Sequence, residues 1–156
     1  MILLNVMLSQ IRRIADYQFG LGVGKILFPD NVNIELSKQG RPRRIYLNNK
    51  LIATIRARDG YIALTLDGAR ILLQSNLVEK NIVIISEDAV PFVKNGRNVF
   101  VKFIEHAPKE LKAGEEVIIV NKRKELIAVG RAILNGEEML SLKSGLAIKV
   151  RRGVED

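Results

Sequence analysis

Lys94, Arg97 and Lys102 fall close together around Gly96 in the stretch PFVKNGRNVFVKF, residues 91–103. Cations so spaced can neutralise phosphates, and a glycine that takes positive φ without a Cβ clash lets an anion approach the main chain. That chemistry is recognition of a polyanion rather than bond making. The same residues also suit an ordinary helix-to-strand turn with solvated lysines. Groups able to make or break bonds are scarce, because the chain has no cysteine and one histidine, His106. Disulfides, thiol nucleophiles, cysteine-ligated zinc, iron–sulfur clusters and multi-histidine metal sites are thereby excluded, and no cofactor is expected. Acids such as Asp16, Asp59 and Asp67 are scattered, without the paired acid, base and nucleophile that a free-standing enzyme needs. Asp16 reads as a local hydrogen-bonding group and Asp59 as a turn residue.

A second set of cations, Lys38, Arg41, Arg43, Arg44, Arg56 and Arg58, sits on one expected hairpin and the strand that follows it. Each is either part of a phosphate track or a charge on a solvated strand face. Over the 156 residues the formal charge is +8 and the pI about 9.9, which favours nucleic acid first and anionic membrane second as partner. The charge is uneven: residues 1–80 hold 12 basic and 6 acidic side chains, net +6, and residues 81–156 hold 13 and 11, net +2. The apolar start MILLNVML has no basic residue ahead of it, no small-residue cleavage pattern and too little length for a membrane span. A soluble cytoplasmic protein, with no membrane partner, is expected.

The elements that must position these cations follow from periodicity. Leu4, Met7, Leu8, Ile11, Ile14 and Ala15 recur at three- and four-residue steps, predicting an amphipathic helix over residues 2–15 that covers a sheet, flanked by Arg12 and Arg13. Gly20, Gly22 and Gly24 then end the helix in a mobile loop, and a dinucleotide-binding reading of GLGVG fails because no strand precedes it. Strands are predicted at 33–37, 44–47, 51–56 and 61–66, broken by residues 38–42, Asn48-Asn49 and Asp59-Gly60, the last two suited to tight hairpins. A helix over 66–77 caps this antiparallel meander.

From Asn81 the pattern changes. An apolar strand at 82–85 precedes one or two helical turns at 87–93, with acids at their start complementing the helix dipole. The cationic loop leads into an alternating strand through Val99, Val101 and Phe103. Strands at 116–121 and 125–134, the latter with an internal Gly130, a short helix at 136–140 and a closing strand at 145–151 complete the chain. A glycine within a strand marks a bend or a close backbone approach. The fold class is therefore α+β: a small antiparallel-sheet domain with flanking helices over 1–80, then a mixed β pseudo-barrel over 81–156. In that barrel the final strand is expected to pair back near the first and remove an edge.

Residues 81–152 resemble a PUA domain, an RNA-binding module, through PFVKNGRNVFVKF (91–103), LKAGEEVIIVN (111–121), ELIAVGRAIL (125–134), EEML (137–140) and GLAIKVRRG (145–153). ADYQFG (15–20), LFP (27–29), SKQGRPRRI (37–45) and LIATIRARDGYIALTLDGA (51–69) are similar to the domain preceding PUA in archaeal tRNA-guanine transglycosylases, the enzymes of archaeosine tRNA modification. The family's catalytic barrel, with its aspartate nucleophile and cysteine-rich zinc site, has no counterpart here. The resemblance therefore implies a non-catalytic tRNA-binding chain whose partners are the tRNA acceptor stem and 3′ end and a separately encoded transglycosylase catalytic subunit. The alternative is a self-standing RNA-binding adaptor in ribosome assembly or other RNA processing. Carried over by matching position, the implied RNA contacts are Lys94, Gly96, Arg97, Lys102, Arg131, Lys149, Arg151 and Arg152. Basic side chains suit such a role, because double-helical RNA is read through shape, phosphates and 2′-hydroxyls. Arg97→Ala and Arg151→Ala are each expected to lower tRNA affinity without unfolding the chain. Tyr17 and Phe19 either stack on an unpaired base or belong to the core.

Overall fold

A computed structural model describes residues 2–156, and the chain divides into two compact units, Met1–Val78 and Glu79–Asp156. The first unit opens with helix α1 (Ile2–Phe19), whose Leu8, Ile11, Ala15, Gln18 and Phe19 are buried at three- and four-residue steps. The buried stripe starts one turn later than expected, since Leu4 is 49% exposed. The glycine-rich segment holds a short helix, α2 (Val23–Leu27), where a loop was expected. The Asp16 carboxylate accepts the Gly24 N–H at 2.6 Å and the Gly24 carbonyl accepts from Phe28 at 2.9 Å, so the turn is tied back to α1.

Strands β1 (Asn33–Leu36), β2 (Pro42–Leu47), β3 (Lys50–Ile55) and β4 (Ile62–Leu64) form an antiparallel meander in chain order. Asn48 and Asn49 both take positive φ, 51° and 67°, which gives the β2–β3 hairpin the twist of a two-residue primed turn. Helix α3 (Leu66–Ser75) starts at Thr65, whose hydroxyl accepts from Gly68 N–H and donates to the Leu51 carbonyl, so one side chain caps the helix and fixes it to β3. Ile11, Phe19, Leu27, Phe28, Ile45, Ile52, Ile62, Leu64 and Leu72 are buried within this unit. Burying each of these large side chains contributes roughly 1.5–3 kcal/mol against the entropy of ordering the chain.

The second unit comprises β5 (Ile82–Ile85), α4 (Val90–Val93), β6 (Val99–Phe100), β7 (Ile104–His106), β8 (Glu116–Val120), β9 (Leu126–Ala132), α5 (Gly136–Ser141) and β10 (Leu146–Gly153). Its sheet runs β6-β10-β9-β8-β5-β7, antiparallel throughout except for the parallel β5–β8 pair. The two outer strands are the two ends of one continuous segment, joined by a 3-10 turn at Val101–Phe103. That segment pairs with β10 at its start and β5 at its end, so the sheet is a nearly closed, mixed, six-stranded barrel.

Two expectations change here. Closure does not come from the final strand pairing with the first, because β10 pairs with β6 and β9 while β5 pairs with β7 and β8. The alternating run Val99–Val101–Phe103 is also not one strand. It has to turn a corner between β10 and β5, and the 3-10 turn makes that corner while Val101 stays buried in the core. Val101 N–H donates to the Gly145 carbonyl and Ser86 N–H to the Phe103 carbonyl, both at 2.8 Å, so the corner remains hydrogen-bonded. The helical stretch expected at 87–93 is shorter, Val90–Val93, with turns through Ser86 and Glu87 before it. Helix α5 carries a complete capping box, Asn135 with Glu138, which explains its sharp start.

Candidate nucleic-acid interface

In the first unit the cations converge on a groove of about 760 Å³ beside α1. Met7, Ile11 and Ile14 of α1 form its apolar side, and Arg41, Arg43, Arg56 and Arg58 its basic side. A shallower depression of about 460 Å³ brings Arg44 beside Arg43, Arg56 and Arg58. This grouping follows from the meander: Arg43 and Arg44 lie on β2, while Arg56 and Arg58 leave the end of β3, with Arg44 registered opposite Thr54. Lys38 is exposed on the same turn as Gln39 and Gly40, which line the groove.

Two of these arginines also carry acidic partners. Arg44 meets Glu35 across the β1–β2 ladder at 2.9 Å, and Arg56 meets Asp59 at 3.2 Å. Asp59 organises the β3–β4 turn, accepting Tyr61 N–H at 2.9 Å as well as the Arg56 side chain. Desolvation opposes ionisation of its carboxyl, but the Tyr61 N–H, the Arg56 bond and charge and the Arg58 charge outweigh it and hold the pKa below the ordinary aspartate value.

Of the two aromatics in the ADYQFG stretch, Phe19 is core and Tyr17 is 72% exposed. Tyr17 stacks on Tyr61, with ring centroids 6.1 Å apart and planes 13° from parallel. No spacing in the sequence brings residues 17 and 61 together; the contact depends on α1 packing against β4, which only the fold reveals.

In the second unit Gly96 has φ +96°, the left-handed conformation expected of it. The loop is closed by Gly96 N–H to the Val93 carbonyl at 2.9 Å and Arg97 N–H to the Phe92 carbonyl at 3.2 Å. The space in front of Gly96 already holds a carboxylate, since a Cβ there would lie 2.8 Å from Asp156 Oδ2. Lys94 also pairs with Glu155 at 3.3 Å, and the Glu155 N–H donates to the Lys94 carbonyl. Residues 155–156 thus occupy the approach to the loop backbone that the sequence reserves for an outside anion.

The loop meets β10 through Asn98, whose side-chain oxygen accepts Val150 N–H at 2.9 Å. Lys94 and Arg97 are in this way brought beside the strand that carries Lys149 and Arg152, and Lys149 is registered opposite Arg131 on β9. Arg97, Lys149 and Arg152 are exposed, and Arg131 is half-buried. Gly130 allows β9 and β10 to approach closely, as a Cβ there would meet the Lys149 carbonyl. Lys102 stands on the 3-10 turn with its Nζ 5.1 Å from the Phe103 ring centroid.

Arg151 differs from its neighbours. It makes two bonds to the fully buried Glu116 carboxylate, 2.9 Å from Nη1 and 2.7 Å from Nη2, spanning from β10 to β8. Arg151→Ala is therefore expected to cost stability as well as RNA affinity, because truncation strands a buried carboxylate. Among the described residues no three His, Cys, Asp or Glu side chains gather as a metal site, and no helix is long and apolar enough to cross a membrane.

Residues 9–76 match the model described as the patch-forming domain C2 of tRNA-guanine transglycosylase, and residues 81–154 match that of the PUA domain, so the two units match two RNA-related domain models in succession. Nearly all of the chain is similar to the C-terminal region of archaeal tRNA-guanine(15) transglycosylases. It is 43% identical to that of Methanothermobacter thermautotrophicus over 94% of this chain, and 44% identical to that of Thermococcus kodakarensis over 93%. Those alignments take in 22% and 25% of the relatives, so the chain spans about a quarter of their length. Among solved structures, a hypothetical protein of Pyrococcus horikoshii is similar with TM-score 0.77 and 22% identity, covering 96% of this chain and 91% of that one. A PUA domain protein of Thermoplasma acidophilum follows with TM-score 0.68 and 19% identity, covering 95% and 88%. These two likenesses concern the fold.

Proposed function

We propose that this chain is a non-catalytic tRNA-binding protein that acts with a separately encoded transglycosylase catalytic subunit in archaeosine modification. The observation that carries the reading is the 43% identity, over nearly the whole chain, to the C-terminal region of enzymes named for exchanging a guanine in tRNA. The physical support is the gathering of Arg41, Arg43, Arg56 and Arg58 on one groove and of Arg97, Lys149 and Arg152 around β10. Side chains of this kind hold RNA by its phosphates and 2′-hydroxyls without needing a base sequence. With no cysteine among its 156 residues, the chain supplies none of the thiolate ligands of a cysteine-rich zinc site, in keeping with a part that binds. In this reading the acceptor stem and 3′ end engage the PUA domain, the first unit holds a different part of the same tRNA, and the partner does the chemistry.

The test is to mix the purified catalytic chain with tRNA transcript in the presence and absence of this protein and to measure base exchange. The expected result is faster exchange and co-purification of the two chains. Equal rates with no association would remove the subunit reading.

A second reading is a self-standing RNA-binding adaptor. It is favoured by the recurrence of this two-unit fold over 91% and 88% of chains of similar size. Crosslinking in cells separates the two, with tRNA recovered in the first case and ribosomal RNA in the second.

A further inference from the structure

Tyr17 and Tyr61 form an aromatic pair on the surface of the first unit that the sheet and its core do not use. Its geometry is fixed from beneath. The buried amide of Gln18 donates to the Ile62 carbonyl at 3.1 Å and accepts the Ile62 N–H at 2.7 Å. These two bonds join the residues that directly follow each tyrosine, so α1 and β4 are locked in the register that stacks the rings. The Asp59 carboxylate holds the Tyr61 N–H from the other side. A ring whose backbone anchor is already placed has less freedom left to lose when something stacks on it.

We infer that the Tyr17–Tyr61 pair is a stacking platform for an unpaired nucleobase, whose flanking phosphates lie toward the arginine-lined groove. Tyr17 has one face against Tyr61 and is 72% exposed, which leaves its other face to solvent. The groove lining reaches Ile14, one helical turn before Tyr17, and Gly60, the residue before Tyr61, so platform and groove adjoin. An aromatic surface beside a cationic track is the combination that binds single-stranded nucleic acid, because every base has a π face and every linkage a charge. An apolar or acidic protein surface would satisfy the ring or the arginines, but not both.

This inference rests on the proposal that the chain binds tRNA, and it adds that one contact requires an unpaired nucleotide. The test uses the full chain with a single-stranded oligoribonucleotide carrying 2-aminopurine, an RNA duplex of equal length, and tRNA. The parent protein should quench the 2-aminopurine on binding. Tyr17→Ala should abolish the quenching and weaken single-strand binding roughly ten-fold, the scale of one lost base stack, with duplex binding within about two-fold of the parent. Tyr17→Phe should retain both quenching and affinity. Tyr17→Leu repeats the comparison with an apolar side chain in place, so a loss seen with both Ala and Leu is a loss of the ring. Unchanged single-strand binding by Tyr17→Ala, equal weakening toward duplex, or loss of a protein partner alone would overturn the inference. The two proposals fail differently: quenching without tRNA binding sinks the tRNA reading, whereas tRNA binding indifferent to Tyr17 sinks only this one.

Discussion

Glu116 and Arg151 show how far the type of a residue can be from its role. In sequence Arg151 is one of three cations on the closing strand, alike in chemistry to Lys149 and Arg152. In the structure its guanidinium neutralises a carboxylate with no exposure to solvent. Removing one partner of such a pair costs about 3 kcal/mol, the lower end for buried pairs because Arg151 is itself 37% exposed. Arg151→Ala is therefore expected to lower the melting temperature by more than about 10 °C, on the usual conversion for a domain of this size. Arg152→Ala, at an exposed site, should stay within about 0.5 kcal/mol of the parent. Thermal melts followed by circular dichroism measure both, and Arg152→Ala is the cleaner probe of RNA contact. Asp16 and Asp59 were legible as local hydrogen-bonding and turn residues, since both act on backbone N–H groups within eight positions of themselves. The Glu116–Arg151 pair and the tyrosine pair were not, because their partners stand 35 and 44 residues apart and no local pattern encodes them.

At the scale of the element, the segment from Val93 to His106 turns twice. Its first turn depends on Gly96 at φ +96°, and its second on a 3-10 corner that carries the chain from β10 to β5. Gly96→Val places a β-branched side chain in the left-handed region and drives its Cβ into the Asp156 carboxylate, with a strain cost of about 1–3 kcal/mol. Amide exchange should show faster opening of the Gly96–Val93 and Arg97–Phe92 hydrogen bonds in that variant, with β8 and β9 unaffected. Protection equal to the parent's would mean that the loop does not need the glycine. Existence and type of nearly every element could be read from the sequence: the meander from its Asn-Asn and Asp-Gly turns, and α1 from its apolar steps. The 3-10 corner could not, because Val99, Val101 and Phe103 alternate as a strand would. What breaks the strand is a change of pairing partner, a property of the closed sheet rather than of the segment.

Across the whole molecule, each unit carries its own basic surface over its own core. The first half holds +6 of the net charge and its arginines line one groove. In the second unit acids pair with two of the cations, Glu155 with Lys94 on the loop and Glu116 with Arg151 on β10. The charge bias and the family resemblance were visible in the sequence, and so was the clustering of arginines on the first meander. Which cations remain exposed was not, because ion pairing is decided by packing between strands. If the chain holds tRNA through phosphates, its affinity must fall with salt as counterions are no longer released to advantage. The decisive measurement is the dissociation constant for tRNA as a function of ionic strength. With about five phosphate contacts, binding should weaken by roughly two to three powers of ten between about 50 and about 200 mM salt. A flat response, or no tRNA binding at the lower salt, would contradict the account.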